Sequence, residues 1–168
     1  MLLVETEVVS LNWPPADWPA VADAAVRAAL DETPHAHLVN SGAVIEVSVR
    51  LTDDAEVRTL NRQYRSKDKP TNVLSFPMVQ PDLLDGLANT DDGEVLLGDI
   101  VLAWETVARE AVEKDITPAD HACHLIVHGT LHLLGYDHEP GDAEAAAMEA
   151  METAACARLG LADPYAER

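Results

Sequence analysis

Two hydrophobic periods alternate along the chain. Residues 43–51 set Val44/Ile45, Val47, Val49 and Leu51 between polar positions, the spacing of a half-buried strand. Residues 2–9 read as a second strand. Residues 73–76 form a short one ended by Pro77, and 95–101 an apolar one broken by Gly98 and Asp99. Between them the period lengthens to that of helices. Residues 17–30 are alanine-rich, with Trp18, Val21, Ala25 and Leu30 on the inner face and Pro19 tolerated in the first turn. After an acidic start at Thr52-Asp-Asp-Ala-Glu, a helix to Arg65 turns Val57, Leu60, Asn61 and Tyr64 inward. Residues 102–112 continue as helix. The next, 117–134, opens with Thr117 as cap, Pro118 at its first position and Asp120 at its third. Its buried face carries Leu125, Ile126, Leu131 and Leu134. A last helix over 142–159 buries Met148, Met151 and Leu159, methionines that read as core.

The connections are polar. Residues 66–72 form a loop containing Pro70, and 80–94 a flexible acidic loop within the domain. His35 and His37 fall in an exposed loop. The expectation is one α+β domain over residues 1–168. About four strands form a mixed sheet against about five helices, with a metal site at the end of a central helix.

Composition adds limits. Of the residues, 48% are apolar, against disorder. No eighteen-residue apolar run and no charged-then-apolar leader occur, so the chain reads as soluble and non-secreted, without a membrane partner. Cys123 and Cys156 are too few for a disulfide scaffold and read as reduced, buried thiols. Eleven basic residues against 30 acidic ones give −19, a balance that by itself disfavours a nucleic-acid partner. The average hides an exception. Arg50, Arg58, Arg62, Arg65, Lys67 and Lys69 crowd one window with only Asp53, Asp54, Glu56 and Asp68 as acids, so a phosphate-bearing substrate belongs there.

The densest chemistry lies in His128-Gly-Thr-Leu-His132-Leu-Leu-Gly135-Tyr-Asp-His138. His128 and His132 are one helical turn apart and project together. Gly135 can take the left-handed conformation that ends a helix, and Tyr136 and Asp137 give His138 the length to fold back. Neutral imidazoles suit zinc, with nickel or iron as alternatives. His124 continues the stripe, but three turns of straight helix cannot aim His124, His128 and His132 at one ion. It stands as a supporting donor, a substrate contact or a packing residue, and His121 is a weaker candidate. Asp137 either orients a ligand, touches substrate or points outward.

The spacing also matches metzincin proteases, which place a glutamate after the first histidine as general base. Gly129 stands there, so amide hydrolysis lacks its proton acceptor. Arg58, Arg62 and Arg65 form a ridge along one helix, readable as a phosphate track or as a solvated face. Thr71, Asn72 and Ser75 either fix the adjoining loop or touch substrate.

Three stretches, in this order and spacing, resemble the bacterial YbeY endoribonuclease family. They are Arg65-Ser-Lys67-Asp68-Lys69-Pro70-Thr71-Asn72-Val-Leu-Ser75-Phe76-Pro77, then Leu97-Gly98-Asp99-Ile100, then the histidine motif. The resemblance covers nearly the whole chain. It implies a zinc-dependent, single-strand-specific endoribonuclease that acts in the cytoplasm on the 3′ end of 16S rRNA and in ribosome quality control. It implies metal binding by His128, His132 and His138 and a functional role for Arg65. Arg58, Arg62, Lys67, Lys69, Asn72, His124 and Asp137 are further candidates for substrate contact. Two departures stand out: Met78 where close relatives often carry phenylalanine, and the overall acidity. The acidity leaves room for a ribosome-associated protein partner that supplies affinity. A non-catalytic assembly factor stapled by its metal, and a metal hydrolase of another substrate, are the rival readings.

Overall fold

The computed structural model describes residues 1–40, 42–87, 93–137 and 141–165. The chain runs β1 (Leu2–Val8), α1 (Trp18–Asp31), β2 (Val44–Thr52), α2 (Asp54–Arg65), β3 (Val73–Pro77), a helical turn α3 (Leu84–Leu87), β4 (Glu94–Ala103), α4 (Trp104–Lys114), α5 (Pro118–Leu133) and α6 (Asp142–Arg158). The four strands make one sheet in the order β1-β2-β4-β3. β1, β2 and β4 are parallel, and β3 pairs antiparallel with β4. The described residues build the expected mixed sheet and five full helices, with α3 as one extra turn.

Alternation along the strands sorts the sheet into two faces. Ile45, Val47, Val49 and Leu51 of β2, with Ile100 and Leu102 of β4, are buried beneath α1 and α5. The opposite parity of β4, Val101 and Ala103, joins Leu74 and Val57 in a smaller core beneath α2. α5 is therefore a central helix on one face, and α2 crosses the other. Burying these apolar faces supplies the main driving force, at about 25 cal/mol per Å² removed from water. Free Cys123 and Cys156 are both buried, as the apolar neighbours of each implied.

Some expected boundaries shift, for tertiary reasons. Leu102 and Ala103 extend β4 instead of starting a helix, because Leu51 and Thr52 pair with them on one side and Val73 with Leu102 on the other. Within 80–94, Pro81–Leu83 forms a 3-10 turn leading into α3, and fully buried Leu84 ties that stretch to the core. The loop holding His35 and His37 contains a 3-10 turn, Ala36–Asn40, anchored by buried Leu38. Tyr64, expected inward, is 69% exposed, and its ring meets the edge of Phe76 instead. Among the described residues no helix is long and apolar enough to cross a membrane.

Candidate metal centre

α5 is fixed at both ends. Thr117 Oγ1 accepts from the Asp120 backbone N–H (3.1 Å), with Pro118 in the first turn. At the other end Gly135, at φ +96°, closes the helix: its N–H donates to His132 O (3.0 Å) and Tyr136 N–H to Leu131 O (3.1 Å). This left-handed cap satisfies the last carbonyls and turns the chain sharply away from the helix. The cap thus lies immediately beyond His132.

On the last two turns His128 and His132 cross rings edge to face, centroids 4.5 Å apart, with their Nε2 atoms 2.9 Å apart. The tautomer of His128 follows from its other nitrogen. Nδ1–H donates to Oε1 of Glu152, a fully buried carboxylate on α6. That leaves a lone pair on His128 Nε2, pointed at His132. Two imidazole nitrogens each about 2.0–2.1 Å from one ion lie no more than about 4 Å apart, and 2.9 Å is inside that limit. The donor set fits a borderline divalent metal, and the carboxylate–histidine pair is the usual support for such a ligand. His138, the third expected ligand, lies outside the described residues.

Sequence reasoning passed over Glu152. Its Oε2 accepts from His124 Nε2–H (2.9 Å) and from the Tyr165 hydroxyl. Burial by itself pushes this carboxyl up. The hydrogen bonds from His124, His128 and the Tyr165 hydroxyl outweigh it and hold the group at about 2. The signal was present in the sequence: Glu152 sits four residues after Met148 and four before Cys156, in the middle of a buried stripe. Of the three readings open for His124, the supporting donor is the one its contacts match. It faces Glu152 and supports the carboxylate; it does not line the cleft that holds His128 and His132.

That cleft, about 330 Å³, is bordered by His128, His132, Asp137, Arg65, Asn72 and Ser75. Arg65 ends α2, where Ser66 takes the left-handed cap at φ 58°, and one guanidinium nitrogen donates to Ser75 O (3.3 Å). The loop that follows is pinned by buried Asn61, whose Nδ2 donates to Lys69 O (2.9 Å). Asn72 borders the cleft with its amide already engaged. Nδ2 donates to Glu110 Oε1 (3.0 Å) and Oδ1 accepts from the Val73 N–H (2.7 Å). It shapes the loop. Arg58 turns to Asp68, with bonds of 2.8 and 3.2 Å, away from the cleft. Arg62, Lys67 and Lys69 stand exposed and do not border it.

Gly129 answers the protease spacing. A Cβ built there would meet Ile100 Cγ2 at 3.0 Å, so this position faces the sheet. A glutamate at 129 would point into the core and away from the imidazoles.

Comparison with known proteins agrees with this architecture. The family model described as endoribonuclease YbeY matches residues 13–160. A protein of Sphingopyxis alaskensis named endoribonuclease YbeY is 63% identical over 169 residues, covering 100% of this chain and 99% of that protein. One of Rhizorhabdus wittichii with the same name is 64% identical over 150 residues, 89% of this chain and 88% of its own. The solution structure of TM1509 from Thermotoga maritima superposes with a TM-score of 0.53 at 20% identity, covering 98% of this chain and 100% of that one, and shares the fold. With matches of this depth across almost its whole length, the chain belongs to the endoribonuclease YbeY family.

Proposed function

We propose that this endoribonuclease is metal-dependent and cuts single-stranded ribosomal RNA in the cytoplasm, at the 3′ end of 16S rRNA and in ribosome quality control. The observation that carries the reading is the placement of Arg65 on the same cleft as His128 and His132. An anion-binding fork and a pair of metal-ligating nitrogens meet at one opening, as phosphodiester chemistry requires.

His128 and His132 would hold the ion, with His138 as the third ligand implied by the family resemblance. Zinc is the first choice and nickel an alternative. When bound, a divalent cation there supplies Lewis acidity toward water and phosphate oxygens. The protein's own groups do the rest. Glu152 keeps the proton of His128 on Nδ1 and so leaves Nε2 as the nitrogen that carries the lone pair for ligation. Arg65, steadied by Ser75 O, neutralises charge that grows on the non-bridging oxygens in the transition state. Asp137 is the one carboxylate among the described residues bordering the cleft, and it takes up the proton released as the attacking oxygen closes on phosphorus.

Affinity for the RNA chain rests on exposed Arg62, Lys67 and Lys69, outside the cleft on α2 and the loop that follows it, because the chain as a whole is strongly acidic. A ribosomal subunit or a ribosome-associated protein would supply the remaining binding.

Cleavage of a ribosomal precursor RNA with both product ends mapped tests this. Metal-loaded wild type should cut single-stranded stretches, while Arg65→Ala and His128→Ala should not. A 2′,3′-cyclic phosphate identifies the 2′-hydroxyl as nucleophile and a 5′-phosphate identifies water. Metal-loaded wild type that cuts no RNA, yet melts earlier once stripped of metal, would hand the site to the assembly-factor reading.

A further inference from the structure

A second cavity lies on the other side of Arg65. It measures about 650 Å³, within the range of about 300–1,000 Å³ typical of small-ligand sites. Arg65 and Ser75 border both it and the metal cleft, so the two spaces adjoin at one guanidinium. The cavity occupies the part of the open sheet face that α2 leaves uncovered.

Its lining has two characters. Tyr64, Phe76 and Met78 form an apolar, aromatic side; Tyr64 is 69% and Met78 56% exposed, large apolar groups offered to solvent beside the cleft. The Tyr64 and Phe76 rings meet edge to face at 5.5 Å. The floor is polar. Ser48 and Asp99 are register partners on β2 and β4, and Phe76 is the partner of Asp99 on β3. The Asp99 carboxylate is half-buried and makes no hydrogen bond to the described residues. Arg50, the cation on this floor, donates to Glu7 (2.8 Å) and to Glu56, so its charge is already matched.

These features select the occupant. A phosphate would meet Asp99 and Glu7 with no free cation except Arg65 at the rim. A flat neutral ring with N–H donors on its edge suits every wall. It stacks on an exposed aromatic ring and gives its donors to a carboxylate that lacks them, while its attached phosphate stays at Arg65. Single-stranded RNA is recognised in this way, by splayed bases on aromatic side chains.

We propose that this cavity is a nucleobase subsite: it takes one unstacked base of the RNA, next to the phosphate held at Arg65, with Tyr64 as stacking platform and Asp99 as acceptor for the base's N–H edge. Guanine, with adjacent donors at N1 and N2, fits the acceptor best. The proposal rests on the reading of the metal cleft as a phosphodiester site.

The test is a cleavage assay on a short single-stranded RNA in which an abasic residue is moved one position at a time past the cut site. Wild type, Tyr64→Ala, Tyr64→Phe and Asp99→Asn are compared, with thermal melting as a check on folding. One abasic position should raise the wild-type KM about tenfold and leave kcat within about twofold, in line with stacking measured elsewhere. Tyr64→Ala should show that same rise on intact RNA and no further rise with the abasic residue, the non-additivity of groups that touch. Tyr64→Phe should follow wild type. Asp99→Asn should lose the preference for guanine over uracil at that position. If no abasic position affects a cleaving wild type, or Tyr64→Ala responds to it just as wild type does, the subsite is wrong while the phosphodiester reading stands. A metal-loaded wild type that cuts no RNA would remove the reading of the cleft itself.

Discussion

Glu152 of α6 accepts the Nδ1 proton of His128 on α5 and so fixes which nitrogen of that imidazole faces the cleft. With the His124 bond to the same carboxylate, the pair joins α5 to α6 through polar contacts as well as apolar ones. His124 and Tyr165 complete the carboxylate's partners, so it is buried as an ion without being left unmatched.

Weakening that carboxylate should weaken the metal before it weakens the fold. Glu152→Gln keeps the shape but removes the charge, and zinc affinity should fall about 10–100-fold, the range found for such supporting groups. Competition with a chromogenic chelator reads this directly. Glu152→Ala should also lower Tm, since two histidines and a tyrosine then lose a buried partner. Zinc affinity equal to wild type in Glu152→Gln would show that the contact is structural alone.

Arg65→Ala should leave zinc content unchanged, because Arg65 belongs to α2 and reaches the cleft from the opposite side. Turnover on single-stranded RNA should fall by about 10²–10³-fold, as when one transition-state donor is removed. Arg65→Lys should recover only part of it, a point charge replacing a planar fork. An Arg65→Ala enzyme with full turnover would take Arg65 out of the chemistry.

Local sequence signals located most of this site, and the reasons differ residue by residue. Thr117-Pro118 and Gly135 bracket α5 because capping is a short-range property, so the histidine pair was legible from spacing alone. Arg65 was legible as a helix-end cation next to a polar loop. The partners were not. Asn72 binds Glu110, 38 residues away, and Glu152 binds His128, 24 residues away, contacts that only the packing of helices decides. Tyr64 followed the inward period of α2 but lies at the helix end, past the small core of Val57, Leu74, Val101 and Ala103, where nothing covers it. Leu102 and Ala103 carried apolar character compatible with either period, and pairing with both neighbouring strands decided for β4.

His121 ties stability to pH. It is 1% exposed, its Nε2–H donates to Glu110 Oε1 (2.9 Å), and its Nδ1 is buried with no partner among the described residues. A bare acceptor is tolerable there, but a second N–H would be dry and unmatched. Burial is the main cause that holds this imidazole below its ordinary value, and the nearby Lys114 and His124 add to it, against the pull of Glu110. As pH falls below about 6.5 the unfolded chain takes up a proton that the folded chain refuses, so the folded state loses stability. Tm of wild type should therefore drop as pH goes from 7 toward 5 more steeply than that of His121→Gln, both measured free of metal. Parallel curves for the two proteins would remove His121 as the cause.

Gly135 makes the sharpest local prediction. Its φ of +96° is unfavourable for any residue with a Cβ, and a Cβ there would also approach Pro81 Cγ to 2.5 Å. The backbone term alone is about 1–2 kcal/mol, and the contact adds to it, because Pro81 is a rigid ring in the 3-10 turn that leads to buried Leu84. Gly135→Ala should therefore lower stability by about 2 kcal/mol or more in denaturant titrations. The cap aims the chain that leads from His132 toward His138. Zinc affinity should then fall together with stability. Pro81→Gly in the same background separates the two causes: it removes both the Cγ at 2.5 Å and the Cβ at 2.8 Å, so it should relieve the contact and restore part of the stability, while the backbone penalty and the lost zinc affinity remain. Full recovery of both would assign the whole effect to the proline contact and take the left-handed cap out of the metal site's construction.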